Sequence, residues 1–155
     1  DIDGNRTKAF CMDPGRIYLN MKNRFSEGVI EEADYESVRE ELRDEILALA
    51  YPDNSGEKII KHVHKKEEIY NGPYLEKAPD LVVEAAAGFD LKGSVAKKTL
   101  FDNGPWTGMH TSDDATFYIN KKIDPSGVRI FDIAPTVLKY FDIDPPTDMD
   151  GRVLV

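Results

Sequence analysis

Residues 34–50, D-Y-E-S-V-R-E-E-L-R-D-E-I-L-A-L-A, and residues 81–85, L-V-V-E-A, together decide the fold class. In the first, Tyr35, Val38, Leu42, Ile46 and Leu49 recur at helical spacing with charges on the other face. That is the pattern of a helix with one side on a core. In the second, introduced by Pro79-Asp80, the apolar residues run on without alternating, as in a strand covered on both faces. A chain that holds both is of the α/β class.

Working outward, Glu31, Glu32 and Asp34 stand where a helix N-terminus favours negative charge, and Pro52, Asn54, Ser55 and Gly56 turn the chain away. Residues 8–12 (K-A-F-C-M) and 16–20 (R-I-Y-L-N) read as short strands around the turn Asp13-Pro14-Gly15. A further strand is expected over 58–65, and Asn71-Gly72-Pro73 is a strong breaker. Strand, helix, strand makes residues 1–78 a β-α-β lid-type insertion with flanking strands, with a seam at residues 71–79. Residues 79–155 then read as the edge of a larger α/β layer. There Ala115–Ile119 is expected as a strand and 124–127 (D-P-S-G) as a turn. Asp132 is expected to cap a helix whose Pro135 falls in the tolerated first turn. Ile133, Val137 and either Tyr140 or Phe141 would line one face of it, and Pro145-Pro146 ends it.

The 155 residues suffice for one or two domains, and 41% apolar residues suffice for a core. With 32% charged residues and no apolar run near the roughly 20 residues that cross a bilayer, no membrane is expected as a partner. A net charge of −9 argues against a nonspecific nucleic-acid binder, which needs cations to replace counterions. It leaves room for an anionic substrate, because a bound divalent metal supplies local positive charge. The single cysteine, Cys11, rules out an internal disulfide and suits a reducing compartment. Its neighbours Ala9, Phe10 and Met12 lead us to expect it buried rather than reactive. The opening D-I-D-G-N-R-T-K shows neither an initiator methionine nor a signal peptide, so a cytoplasmic piece of a longer protein is the expectation.

The stretch 106–120, W-T-G-M-H-T-S-D-D-A-T-F-Y-I-N, carries most of the chemistry. Imidazole is a good metal donor near neutral pH, and Gly108 lets the backbone turn sharply ahead of His110. Residue types alone leave His110 open between a metal ligand and a ring bonded to backbone in a tight turn. Asp113 and Asp114 could orient such an imidazole, but acids at a strand start more commonly face solvent. His62 and His64, two apart, share one side of a strand and could hold zinc with Glu67 or Glu68. Lys58, Lys61, Lys65 and Lys66 make that electrostatically poor, so a solvated strand face is expected. Phosphate-loop, dinucleotide-binding, serine-hydrolase and zincin signatures are all absent.

G-M-H at 108–110, the aromatic run at 115–119 and F-D-I-A-P-T-V-L-K-Y-F-D-I-D-P-P-T-D-M-D-G-R-V-L at 131–154 carry a resemblance. So do A-F-C-M-D-P-G-R-I-Y-L-N at 9–20, E-E-I-Y-N-G-P-Y at 67–74 and A-P-D-L-V-V at 78–83. The chain resembles, over about residues 8–155, the C-terminal end of the type I phosphodiesterase/nucleotide pyrophosphatase family in the alkaline phosphatase superfamily. The resemblance implies the C-terminal part of an alkaline-phosphatase-like α/β/α core for residues 79–155. It also implies two divalent metals in the intact parent, usually zinc, with manganese or magnesium compatible. His110 would be the last metal-ligand histidine. The catalytic nucleophile, a threonine or serine, and the remaining ligands would lie outside this chain. The substrate would be a small phosphoester, and the partner the remainder of the parent polypeptide. A lone imidazole does not retain a catalytic zinc, so the chain by itself is expected to be metal-free and inactive. Many members place a glycine a few residues beyond that histidine, where Asp113, Asp114 and Ala115 stand here. Alternatives are a sibling enzyme (a sulfatase, phosphonate hydrolase or phosphoglycerate mutase) and a non-catalytic binding domain.

Overall fold

The hairpin at the start of the chain turns on Gly15, whose φ of +77° is costly for any residue with a side chain. A Cβ there would also stand 2.7 Å from the Val83 carbonyl oxygen. The turn joins β1 (Ala9–Asp13) to β2 (Arg16–Leu19). In this computed structural model the described residues are 3–53, 55–94, 96–105, 108, 110 and 115–155. The chain forms two units, Asp1–Thr111 and Ser112–Val155.

The first unit is a small α/β fold: a four-stranded antiparallel sheet in the order β1-β2-β4-β3, with helices between its strands. After β2 come α1 (Tyr35–Leu47), β3 (Ile60–Lys65), the short α2 (Lys66–Ile69) and β4 (Leu81–Ala85). β2 and β3 both run antiparallel to β4 and so parallel to each other. The expected β-α-β unit is therefore present but split, with β4 inserted between its strands. The breaker at residues 71–73 lies in the connection that carries the chain back into this sheet. L-V-V-E-A is central in that it is bonded on both edges, but the cover expected on both its faces is present on one only. Leu81 and Val83 pack in the cluster under α1, while Val82 and Glu84 face the other way beside His64 and His62.

α1 lies on the sheet through Tyr35, Val38, Leu42 and Ile46. These cover two buried clusters, Leu19, Met21 and Ile30 on one side and Ile60, Val63 and Leu81 on the other. Leu42 belongs to both. Leu49, expected on the same face, lies beyond the end of the helix at Leu47 and is exposed. Cys11 is also exposed, contrary to the burial expected from its neighbours. β1 is an edge strand, and from Cys11 onward its side chains face solvent, so apolar neighbours in sequence did not become neighbours in a core.

The second unit is built around α3 (Ile133–Tyr140), entered through a 3-10 turn at Ile130–Asp132. The expected strand at Ala115–Ile119 does not form. A strand needs a ladder partner, and among the described residues of this unit there is no strand. Pro135 sits in the first turn of the helix as expected and is fully buried. The helix ends with Asp142 at φ +56°, where the Ile143 N–H reaches the Leu138 carbonyl and the Asp142 N–H that of Lys139, each at 3.0 Å.

Candidate metal centre on the open sheet face

Val63 is buried beneath α1, so the alternation of β3 turns His62 and His64 to the opposite face. On β4, Glu84 is paired in register with His62, and Val82 with His64. The cross-strand neighbour of the histidine pair is thus a carboxylate. Glu84 Oε2 lies 3.1 Å from His62 Nδ1, a hydrogen bond in the Nδ1–H tautomer, and 3.8 Å from His64 Nε2. The two rings are 5.4 Å apart, centroid to centroid, and tilted by 33°. One donor atom from each of the three residues falls within 4.8 Å of the others, and among the described residues this is the only such group.

A bulge between Ile60 and His62 shapes the rest of the site. The extra residue, Lys61, is thereby brought to the same partner as His62, and its ammonium sits 3.0 Å from Glu84 Oε1. Lys61 thus holds one oxygen of Glu84, and the other faces the His62 imidazole. Two of the lysines that made this strand look repulsive pair with acids away from the histidines. Lys65 bonds Glu36 at 2.5 Å and pairs with Glu40, and Lys66 lies 3.3 Å from Asp80. Of the acids expected as a third ligand, Glu67 spends both oxygens on Arg39, at 3.0 and 2.8 Å. Glu68 accepts the Lys65 N–H at 2.9 Å and lies 3.9 Å from His64 Nδ1, on the far side of the ring from Glu84. The acid that stands with the two histidines is Glu84, which sequence reasoning missed. Its signal was present as the one acid in L-V-V-E-A, but using it requires the register of two strands about twenty residues apart.

His110 is exposed, and among the described residues no hydrogen bond or ion pair holds its ring. No other histidine or acid among them gathers with it into a ligand set. Asp113 and Asp114 lie outside the described residues.

Two further acids carry the local architecture. Asp80, fully buried, accepts the Leu19 N–H at 2.8 Å and the Tyr35 hydroxyl at 2.9 Å. Arg24 reaches its two oxygens at 2.9 and 2.8 Å. Burial pushes this carboxyl up, but the Leu19 N–H, the Tyr35 hydroxyl and Arg24 together hold it below the usual aspartate value. Burial, reinforced by the Asp80 charge, pushes the Tyr35 phenol above its ordinary range.

Asp132 plays the corresponding part in the second unit. Its side chain accepts the Arg129 N–H at 2.9 Å and, across the loop, the Arg152 N–H at 2.8 Å. These bonds, Arg152 first, keep it ionised below the usual range. Thr136, also buried, donates to the Asp132 carbonyl at 2.6 Å and accepts the Leu154 N–H at 3.1 Å. Gly151 passes so close that a Cβ would meet the Phe131 carbonyl oxygen at 2.1 Å. D-I-A-P-T and D-G-R-V-L thus form a single hydrogen-bonded knot, in which Asp132 ties the loop rather than capping its helix.

No family model, no curated protein and no solved structure matches this chain.

Proposed function

We propose that the chain is the C-terminal part of a metal-dependent phosphoric ester hydrolase of the phosphodiesterase/nucleotide pyrophosphatase type, acting on a small phosphoester. The observation that carries this reading is the knot of Asp132, Thr136, Gly151 and Arg152. Within the stretch 131–154, one of those that carry the resemblance, these residues hold the second unit together and act as a coherent structural module. The apolar surface of that unit agrees, since Tyr118 and Ile130 are more than four-fifths exposed, as expected of a layer that the rest of a parent protein covers.

His110 is the residue assigned to the metal in this reading, and its exposed ring suits ligation. One imidazole is one donor, whereas a catalytic zinc takes three protein ligands, so this chain does not itself fit a two-metal centre. The catalytic steps therefore belong to the parent, and the 155-residue chain alone is expected to show no turnover.

The test compares the parent protein, its His110→Ala variant and the isolated chain on a chromogenic phosphodiester, a phosphomonoester and a sulfate ester. The reading expects phosphodiesterase turnover by the parent, a loss of about 100-fold or more in kcat/KM on His110→Ala, and none by the chain. Preference for the sulfate ester would move the assignment to a sibling enzyme. An inactive parent, or turnover by the isolated chain, overturns the proposal.

A further inference from the structure

We infer that His62, His64 and Glu84 form a binding site for a divalent transition-metal ion, with zinc the natural occupant by donor chemistry. This site is separate from His110 and does not depend on the hydrolase reading.

The first argument is donor type. Two imidazole nitrogens and one carboxylate oxygen are the set that zinc, nickel and copper select, whereas magnesium and calcium take oxygen. The second is geometry. A tetrahedral ion with bonds of about 2.0–2.1 Å sets neighbouring donors roughly 3.3 Å apart. Glu84 Oε2 is 3.1 Å from His62 Nδ1 and 3.8 Å from His64 Nε2, and all three donors lie within 4.8 Å of one another, so side-chain rotations that draw the two rings together bring the set to that spacing. The third is support. A ligating imidazole ordinarily directs its other nitrogen to a carboxylate, and His64 Nδ1 faces Glu68 Oε2 at 3.9 Å. Lys61 pins the oxygen of Glu84 that the metal does not use.

Position supplies the fourth argument. All three ligands stand on paired strands whose register fixes their spacing, which holds a site more firmly than a loop does. His62 is half exposed and His64 a third exposed, so an ion reaches them from solvent without opening the fold. Three protein ligands leave one coordination position to water or to an exogenous donor. The bound ion would clamp β3 to β4 at the edge of the sheet.

The experiment titrates Zn²⁺ into the 155-residue chain against a chromophoric chelator and follows Co²⁺ uptake by its visible absorption. Wild type, His62→Asn/His64→Asn and Glu84→Gln are compared, with circular dichroism reporting the fold of each. The expected result is uptake of one equivalent, intense cobalt bands of a four-coordinate site and a Tm that rises with zinc. Each site variant should bind at least about 100-fold more weakly, the upper end of what loss of a supporting residue costs. Should the double histidine variant fail to fold, Glu84→Gln, which keeps shape and volume, decides alone. Absence of uptake by wild type overturns the inference. So does uptake that survives in the folded site variants, or that disappears only in His110→Ala.

Discussion

A buried carboxylate lowers stability unless donors replace the water it gives up, and Asp80 has them from the backbone of β2, from α1 and from Arg24. Asp80→Asn removes the charge and leaves Arg24 and Lys66 beside a neutral amide. Urea denaturation should show a loss of about 3 kcal/mol, the low end of the cost of breaking a buried pair. The same carboxyl makes stability pH-dependent. Its folded value lies below the unfolded one, so on acidification the unfolded chain takes up the proton first. The contribution is complete above about pH 4 and is lost as pH falls toward the lower folded value. Denaturation midpoints measured from pH 6 down to pH 2 should fall for the wild type and stay flatter for Asp80→Asn. At Asp142 the opposite substitution helps. Its φ of +56° closes α3 with both bonds of a left-handed helix ending, a position that glycine occupies without a Cβ penalty. Asp142→Gly should raise stability by about 0.5–1 kcal/mol, read as a higher thermal midpoint.

Among the elements, α1 shows what periodicity determines and where it stops. Leu42 bridges the two buried clusters, so Leu42→Ala should cost about 3 kcal/mol by the cavity it leaves. Leu49→Ala, beyond the helix end and exposed, should cost under about 0.5 kcal/mol. Parallel denaturant titrations of the two variants test the boundary directly. Sequence spacing made the helix, the first hairpin, the strand at 58–65 and the central strand legible, because each has a local period or a turn residue that declares it. It misplaced the strand at Ala115–Ile119, whose β-branched and aromatic run suits a strand but finds no ladder partner among the described residues of its unit. It could not give the order β1-β2-β4-β3, because pairing between distant strands leaves no local trace. The metal centre follows the same division. His62 and His64 share a face by alternation alone, which is visible in the chain. Glu84 and the bulge that brings in Lys61 exist only through the register of β3 on β4.

At the scale of the molecule the two units differ in how they treat their apolar residues. The first buries two apolar clusters beneath α1, whereas the second leaves much of its apolar surface to solvent. A groove of about 530 Å³ lined by Phe117, Tyr118, Ile133, Val137, Tyr140 and Phe141 runs along α3. Surfaces of this kind mark sites of contact with protein, membrane or ligand, and a net charge of −9 opposes self-association through such a surface. Under the proposed function the remainder of the parent polypeptide covers it, which gives a double test. In the isolated chain, Tyr118→Ser with Phe141→Ser should reduce binding of an environment-sensitive dye. Stability should change by no more than about 0.5 kcal/mol, because exposed side chains make few contacts to lose. In the parent the same pair should destabilise by more than about 2 kcal/mol, since two aromatic side chains would there be withdrawn from a buried interface. Equal and small effects in both proteins would mean that nothing covers this surface, and would remove its support for the hydrolase reading while leaving the zinc site on the first unit untouched.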